Sequence, residues 1–114
     1  MIHPDDENGH ALRRLEADGD DLSRARDIDF SVVFHSEGAA EKFAEHFRNL
    51  GLKVDVSFAQ VKADHPWDAV VVKSMVPTHS AITEFERELQ EIANVSGGYN
   101  DGWGCFAQPG KHLQ

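Results

Sequence analysis

Apart from Val33, the segment 26–35 alternates between apolar and polar residues, and this pattern constrains the fold more than any other feature of the chain. The apolar positions are Ile28, Phe30, Val32 and Phe34. The polar positions are Asp27, Asp29, Ser31 and His35. Successive side chains of a strand point to opposite faces of its sheet. A period of two therefore predicts a strand with one face on a core and the other in solvent.

Two more strands are predicted further along the chain. Leu52–Gln60 alternates in the same way, and its inward residues are expected to be Leu52, Val54, Val56 and Phe58. Trp67–Val76 is rich in valine instead, which predicts a strand covered on both faces near its centre. The polar segment Val61–Pro66 is expected to form the turn between them.

Two amphipathic helices separate these strands. The first is expected to be capped by Ser36 and to end at Gly51, with an apolar stripe of Ala40, Phe43, Ala44, Phe47 and Leu50. The second is expected to follow a cap at Thr78, with a stripe of Ile82, Phe85, Leu89 and Ile92. Both stripes have the helical spacing that buries one side of a helix.

The ends of the chain add one element each. Residues 4–17 are expected to form a short helix that starts at Pro4, carries Leu12 and Leu15 inward, and stops at Gly19. The aromatic and glycine-rich segment Gly97–Pro109 is expected to be a last strand, kinked at Gly102-Trp103-Gly104. Trp103 either caps the core there or forms a recognition edge together with Asp101.

A helix followed by the order β-α-β-β-α-β predicts a single α+β domain over residues 1–114. This is the ferredoxin-like arrangement, a four-stranded antiparallel sheet with two helices on one face. The extra N-terminal helix is expected to dock at a sheet edge or on the far face.

The charge balance favours a basic partner. The chain has 11 basic and 20 acidic side chains, and its net charge is −9. Such a chain repels RNA and anionic lipid, so direct nucleic-acid and membrane binding are not expected. With a lone cysteine and no long apolar run, we expect a soluble cytoplasmic protein.

Catalytic and metal-binding patterns are weak. None of the seven histidines has the helical or cysteine-paired spacing of a zinc site, and no glycine-rich loop joins a strand to a helix to hold phosphate. We therefore expect no catalytic residue, metal or cofactor. A small enzyme that uses His35 or His79 with nearby acids is the minor alternative.

The last strand carries a more specific signal. Tyr99-Asn100-Asp101-Gly102-Trp103-Gly104 resembles the Tyr-Asp-Gly-Trp-Gly signature of the RraB family, the protein inhibitors of ribonuclease E, with Asn100 inserted. The acidic segment 16–21, the Arg26–Phe30 strand and the Ala40–Leu52 helix are also similar to that family, so the resemblance spans about residues 10–107. It implies a ferredoxin-like fold without catalysis. It also implies binding to the arginine-rich, non-catalytic part of ribonuclease E.

These observations lead to one main hypothesis and one alternative. The main hypothesis is a non-catalytic adaptor, a monomer or weak homodimer, that binds a basic protein segment of a ribonuclease E-like enzyme. Its expected contact residues are Asp18, Asp20, Asp21, Asp101 and Trp103. The alternative is a small-molecule-sensing or dimerisation module that uses an exposed sheet face carrying Val33 and Trp67.

Overall fold

The structure, a computed structural model, describes residues 6–58 and 64–105. Its elements in chain order are α1 (Glu7–Ala17), β1 (Arg26–Phe34), α2 (Glu37–Arg48), β2 (Lys53–Phe58), β3 (Trp67–Met75), α3 (His79–Ala93), a 3₁₀ turn (Asn94–Ser96) and β4 (Tyr99–Cys105). The predicted order is confirmed. Pro4, residues 59–63 and residues 106–109, on which parts of the sequence predictions fall, lie outside the described ranges.

The sheet has the order β2-β3-β1-β4, and every neighbouring pair is antiparallel. The central strand β1 therefore pairs on both sides. Its side chain Phe30 contacts Phe85 of α3, with ring centroids 4.9 Å apart, and Phe34 contacts Phe43 of α2 at 5.0 Å. Both helices thus lie on the face that carries the apolar residues of β1, which confirms the predicted ferredoxin-like α+β arrangement.

The predicted helix caps are present at the atomic level. The Ser36 side chain accepts a hydrogen bond from the Ala39 amide, and the Thr78 side chain accepts one from the Ala81 amide. Each bond satisfies an amide that has no partner inside its helix. Because only one residue separates the end of β1 from the Ser36 cap and only two separate the end of β3 from the Thr78 cap, the caps set the point where the chain turns back over the sheet.

Helix α1 packs at the β4 edge of the sheet, on the same side as α2 and α3. Leu12 is fully buried in the common core, and Asn8 hydrogen-bonds to Thr83 and Glu86 of α3. The helix begins at Glu7, after an Asp6 cap, which is later than the predicted start at Pro4. Asp6 accepts from the Gly9 amide at 2.8 Å, so a capping side chain determines the helix start.

Three predictions of burial are wrong, each for a geometric reason. Leu50 is 63% exposed because α2 ends at Arg48, which leaves Leu50 in the following turn. Phe58 is 53% exposed because it ends the edge strand β2, although it lies on the inner side and packs edge-on against Trp67. Val70 and Val72 of β3 are only half-buried, since the helices cover one face of the sheet alone.

A kink is present in β4 as a β-bulge, but it lies at Asp101-Gly102, at the start of the predicted segment Gly102-Trp103-Gly104. Phe30 pairs with Trp103 and Val32 with Asn100, so β4 contains one residue more than β1 over this stretch. Gly102 has a φ of 110°, a conformation that glycine adopts at little cost. The extra residue places both Asn100 and Trp103 on the helix-facing side of β4.

Candidate protein-binding surface

Trp103 lies between β4 and α1, where it contributes to the core and to the surface at once. Its indole packs against the buried cluster and remains partly exposed. Its Nε1 atom donates a hydrogen bond to Oδ1 of Asn8 at 2.9 Å. The ring is therefore held in one orientation by a polar contact at one end and by apolar packing along its body.

A groove runs along both sides of this indole. One end is a hollow of about 200 Å³ whose polar lining residues are Glu7, Asn8, Arg14, Glu86 and Asn100. The other is a hollow of about 210 Å³ that is lined by Leu15, Asp18, Gly104 and Cys105 among others. Trp103, Ala11 and Arg14 line both hollows. We call this surface the α1–β4 groove.

Two of the predicted contact residues meet in this groove, and two more lie on β4 and in the loop that follows α1. Asp18, at the C-terminal end of α1, and Trp103 line the same hollow. Asp101 is exposed in the bulge of β4. Asp21 lies in the loop after α1, where its carboxylate accepts hydrogen bonds from the Oγ and the amide of Ser23. These bonds lower the pKa of Asp21 and keep its side chain charged.

Asp20 has a different role from the other predicted contact residues. Its side chain is fully enclosed and forms an ion pair with Nη1 of Arg26 at 2.7 Å. Burial disfavours the charged form of Arg26, but the hydrogen bond to Asp20, helped by the nearby Cys105 side chain, outweighs that effect and raises the pKa of Arg26. Nη2 of Arg26 also donates to the carbonyl oxygen of Asp21 at 2.8 Å. Asp20 therefore holds the loop in place and does not face a partner in this structure.

Glu86 forms the polar wall opposite Trp103. It accepts a hydrogen bond from Nδ2 of Asn8 at 2.8 Å, and the same asparagine holds the indole. Burial raises the pKa of Glu86, and the nearby charge of Glu7 acts in the same direction, while the bond from Asn8 opposes both. The groove therefore combines an aromatic ring with carboxylates that are partly removed from water.

The open face of the sheet carries a second acidic surface that sequence reasoning missed. A hollow of about 520 Å³ is lined by Asp27, Asp29, Lys53, Asp55, Val70, Val72 and Cys105. The sequence placed the three aspartates on polar strand faces, but their convergence depends on the pairing of β1 and β2 with β3. In the sequence, the available signal for this surface was the pair Asp27 and Asp29, which occupy alternate positions of one strand and therefore share a face.

Val33 and Trp67, which motivated the sensing-module alternative, do not share an exposed face of the sheet. Val33 is only 4% exposed, and Trp67 pairs with Phe34 and Phe58 on the helix-facing side. Among the described residues, these two therefore do not form the exposed surface on which that alternative was based.

The two histidines of the enzyme alternative share no cleft. His35 follows the end of β1 and lies near His65, at 6.2 Å between ring centroids. His79 begins α3, beyond the opposite end of β1, where its Nε2 lies 2.8 Å from Oδ2 of Asp6. Within the described ranges, no group of three or more histidine, cysteine or acidic side chains could hold a metal ion.

None of the helices in residues 6–58 and 64–105 is both long and apolar enough to cross a bilayer.

Comparison with known protein families gives a match. The family model described as RraB, regulator of ribonuclease activity B, matches residues 5–105. No curated protein matches the chain. The matched range includes every described element, the α1–β4 groove and the Trp103 motif. The chain therefore belongs to the RraB family of regulators of ribonuclease activity.

Proposed function

We propose that this protein is a non-catalytic adaptor that binds a basic, arginine-rich segment of a ribonuclease E-like endoribonuclease and thereby regulates RNA turnover. The observation that carries this proposal is the family match over residues 5–105, which includes the Trp103 motif. The proposal places the protein in the cytoplasm, as a monomer or weak homodimer, where it would meet an enzyme that acts on transcripts.

The α1–β4 groove offers an indole face and carboxylates, the two kinds of group that an arginine side chain binds, next to its own Arg14. A guanidinium group forms paired, charge-assisted hydrogen bonds with a carboxylate and stacks on an indole face. Asp18 and Trp103 line one hollow and would offer both contacts side by side. Asp21 and Asp101 would extend the acidic surface along the loop and the β4 bulge, while Asp20 would hold that loop.

The net negative charge of the chain also favours a basic partner, because it acts over longer distances than direct contacts do. With a net charge of −9, the whole chain attracts a polycation before any specific contact forms. Such steering raises the rate of encounter at low salt and fades when counterions screen it. Salt dependence is therefore a signature of this binding mode.

A titration against the arginine-rich segment of ribonuclease E tests the proposal. We expect binding at about 50 mM salt and an affinity at least about tenfold lower at about 300 mM salt. Trp103→Phe, which loses the Asn8 hydrogen bond and part of the stacking surface, should weaken binding about three- to tenfold. The matched variant Trp67→Phe, which changes the other tryptophan, should bind like the unmodified protein. Absence of binding at low salt, or binding indifferent to salt, would contradict the proposal.

A further inference from the structure

We propose that the open face of the sheet binds a cationic amphipathic helix, with its apolar stripe on β3 and its arginine or lysine residues over β1 and β2. This inference rests on the proposed function, because it gives a shape and a second contact surface to the basic partner. The open sheet face is defined here as Asp27, Asp29, Lys53, Asp55, Val70, Val72 and Cys105.

The strand register places an apolar strip between two charged ones. Asp29 of β1 pairs with Val72 of β3, which pairs in turn with Lys53 of β2. In the next row on this face, Val70 lies between Ser31 and Asp55. The valines thus form the floor of the hollow, with Asp27 and Asp29 on one flank and Asp55 beside Lys53 on the other.

The floor is unusual for a face that meets only water. The antiparallel sheet is covered by helices on its other side, so its open face is expected to be polar throughout. Val70 and Val72 are instead half-buried within a hollow of about 520 Å³. Apolar surface removed from water by a partner would stabilise a complex in proportion to its area.

The carboxylates on the β1 side are not used by the fold. Asp27 and Asp29 are exposed and have no ion-pair partner in the part of the chain that the structure describes. Like charges that are neighbours on one strand face repel each other, so a neutral polar residue would serve the fold better. On the β2 side, Lys53 lies 4.0 Å from Asp55, with both side chains largely exposed, so that pair contributes little.

The dimensions of this face match a helix. Neighbouring strands lie about 4.8 Å apart, so the flanking strands β1 and β2 are about 10 Å apart across β3. An α-helix with its side chains is about 10–12 Å in diameter. A helix lying on β3 would therefore carry its basic residues over Asp27 and Asp29 on one side and over Asp55 on the other.

Charge excludes the other common occupants of such a face. RNA and anionic lipid would be repelled by the three aspartates. A second copy of this chain would bring the same acids against each other across the interface. A basic helix is the partner that these residues fit.

The test compares two double variants that each remove two negative charges. Asp29→Asn with Asp55→Asn removes one carboxylate from each flank of the open sheet face. The matched control, Glu84→Gln with Glu88→Gln, neutralises two exposed acids of α3. The probes are the arginine-rich ribonuclease E segment and a synthetic 18-residue helix with a leucine stripe flanked by arginines, measured by fluorescence anisotropy and circular dichroism.

We expect the sheet-face variant to bind both probes about fivefold more weakly than the control variant, which should lie within about twofold of the unmodified protein. Both probes should gain helical signal on binding. Equal affinity of the two variants, or binding without helical signal, would overturn the inference. If the ribonuclease segment binds and only Trp103→Phe weakens it, the proposed function stands and the sheet-face inference falls. The synthetic helix could instead bind with a gain of helical signal and bind the sheet-face variant more weakly, while the ribonuclease segment does not bind. That result would support the open sheet face as a helix site and contradict the proposed ribonuclease partner.

Discussion

At the scale of single residues, burial separates structural acids from available ones. Asp20 and Asp21 are neighbours in an acidic run, and the sequence treats them alike. In the fold the Asp20 side chain is enclosed beside Arg26, whereas Asp21 caps a surface turn at Ser23. Removing one partner of a buried ion pair costs about 3–5 kcal/mol, because the other charge stays buried. An Asp20 variant would therefore report on stability rather than on recognition.

Gly98 allows a residue-scale prediction about the junction of α3 and β4. A Cβ atom at this position would overlap the ring of Phe34, which is fully buried. We expect Gly98→Ala to lower the free energy of unfolding by about 1–3 kcal/mol, because the core has no space for the added methyl group. Urea unfolding measures the change.

Gly104→Ala is the matched control for that substitution. A Cβ atom at Gly104 would meet nothing within 4 Å, although this glycine lies in the same strand region. Its effect should stay within about 0.5 kcal/mol. If both variants lost the same free energy of unfolding, overlap with the Phe34 ring would not be the reason why Gly98→Ala is destabilised.

At the scale of elements, periodicity predicted most of the fold. Alternation over residues 26–35 is enough to place β1, and the spacing of the apolar residues, together with Ser36 and Thr78, is enough to place α2 and α3. These signals are local, and the sheet follows from their order. The ends of elements are less predictable, as Leu50 shows, because a capping contact decides where a helix stops.

The candidate surfaces were less predictable because they depend on pairing between distant segments. Trp103 and Asp18 were identified as candidates from their residue types, yet only the docking of α1 brings them into one groove. The open sheet face could not be predicted without the strand register, which places Asp29 and Asp55 on either side of β3. The local spacing of apolar residues determines neither the register between strands nor the position at which a helix docks.

Asn8 joins α1 to both α3 and β4, so we expect its substitution to loosen the packing of α1. It donates to Thr83 and Glu86 and accepts from Trp103. We expect Asn8→Ala to lower the free energy of unfolding by about 1–3 kcal/mol, since it leaves partly buried polar groups without their partner. In a Trp67→Phe background, the emission of Trp103 should also shift to the red as α1 loosens.

Asn49→Ala is the control for the Asn8 variant. Asn49 is an exposed cap residue at the end of α2 and lies on none of these contacts. It should leave the emission of Trp103 unchanged. An Asn8 variant with the stability and emission of the unmodified protein would show that apolar packing of Leu12 alone docks α1.

At the scale of the whole molecule, acidic groups act on stability in opposite directions. The pKa of Asp6 is lowered by the hydrogen bond from the Gly9 amide and then by His79, and that of Asp21 is lowered by Ser23. These carboxylates stabilise the fold when charged. Glu86 does the reverse, because burial raises its pKa. The excess of negative charge adds a general self-repulsion at neutral pH.

The melting temperature should therefore pass through a maximum as the pH falls from about 8 to about 3. The raised pKa of Glu86 means that its penalty is present at neutral pH and is relieved as the pH falls through that pKa, so stability first rises. The lowered pKa values of Asp6 and Asp21 mean that their contribution to stability is complete above pH 3.8, the ordinary pKa, and is lost as the pH falls through the pKa values of the folded state.

The variant Glu86→Gln tests the part of Glu86. Its side chain keeps an oxygen that can accept the hydrogen bond from Asn8, but it cannot titrate. Its melting temperature should exceed that of the unmodified protein at pH 7, by a margin that shrinks towards about pH 4, and both should fall together at lower pH. Curves that run parallel over the whole range would show that Glu86 does not titrate differently in the folded and unfolded chains.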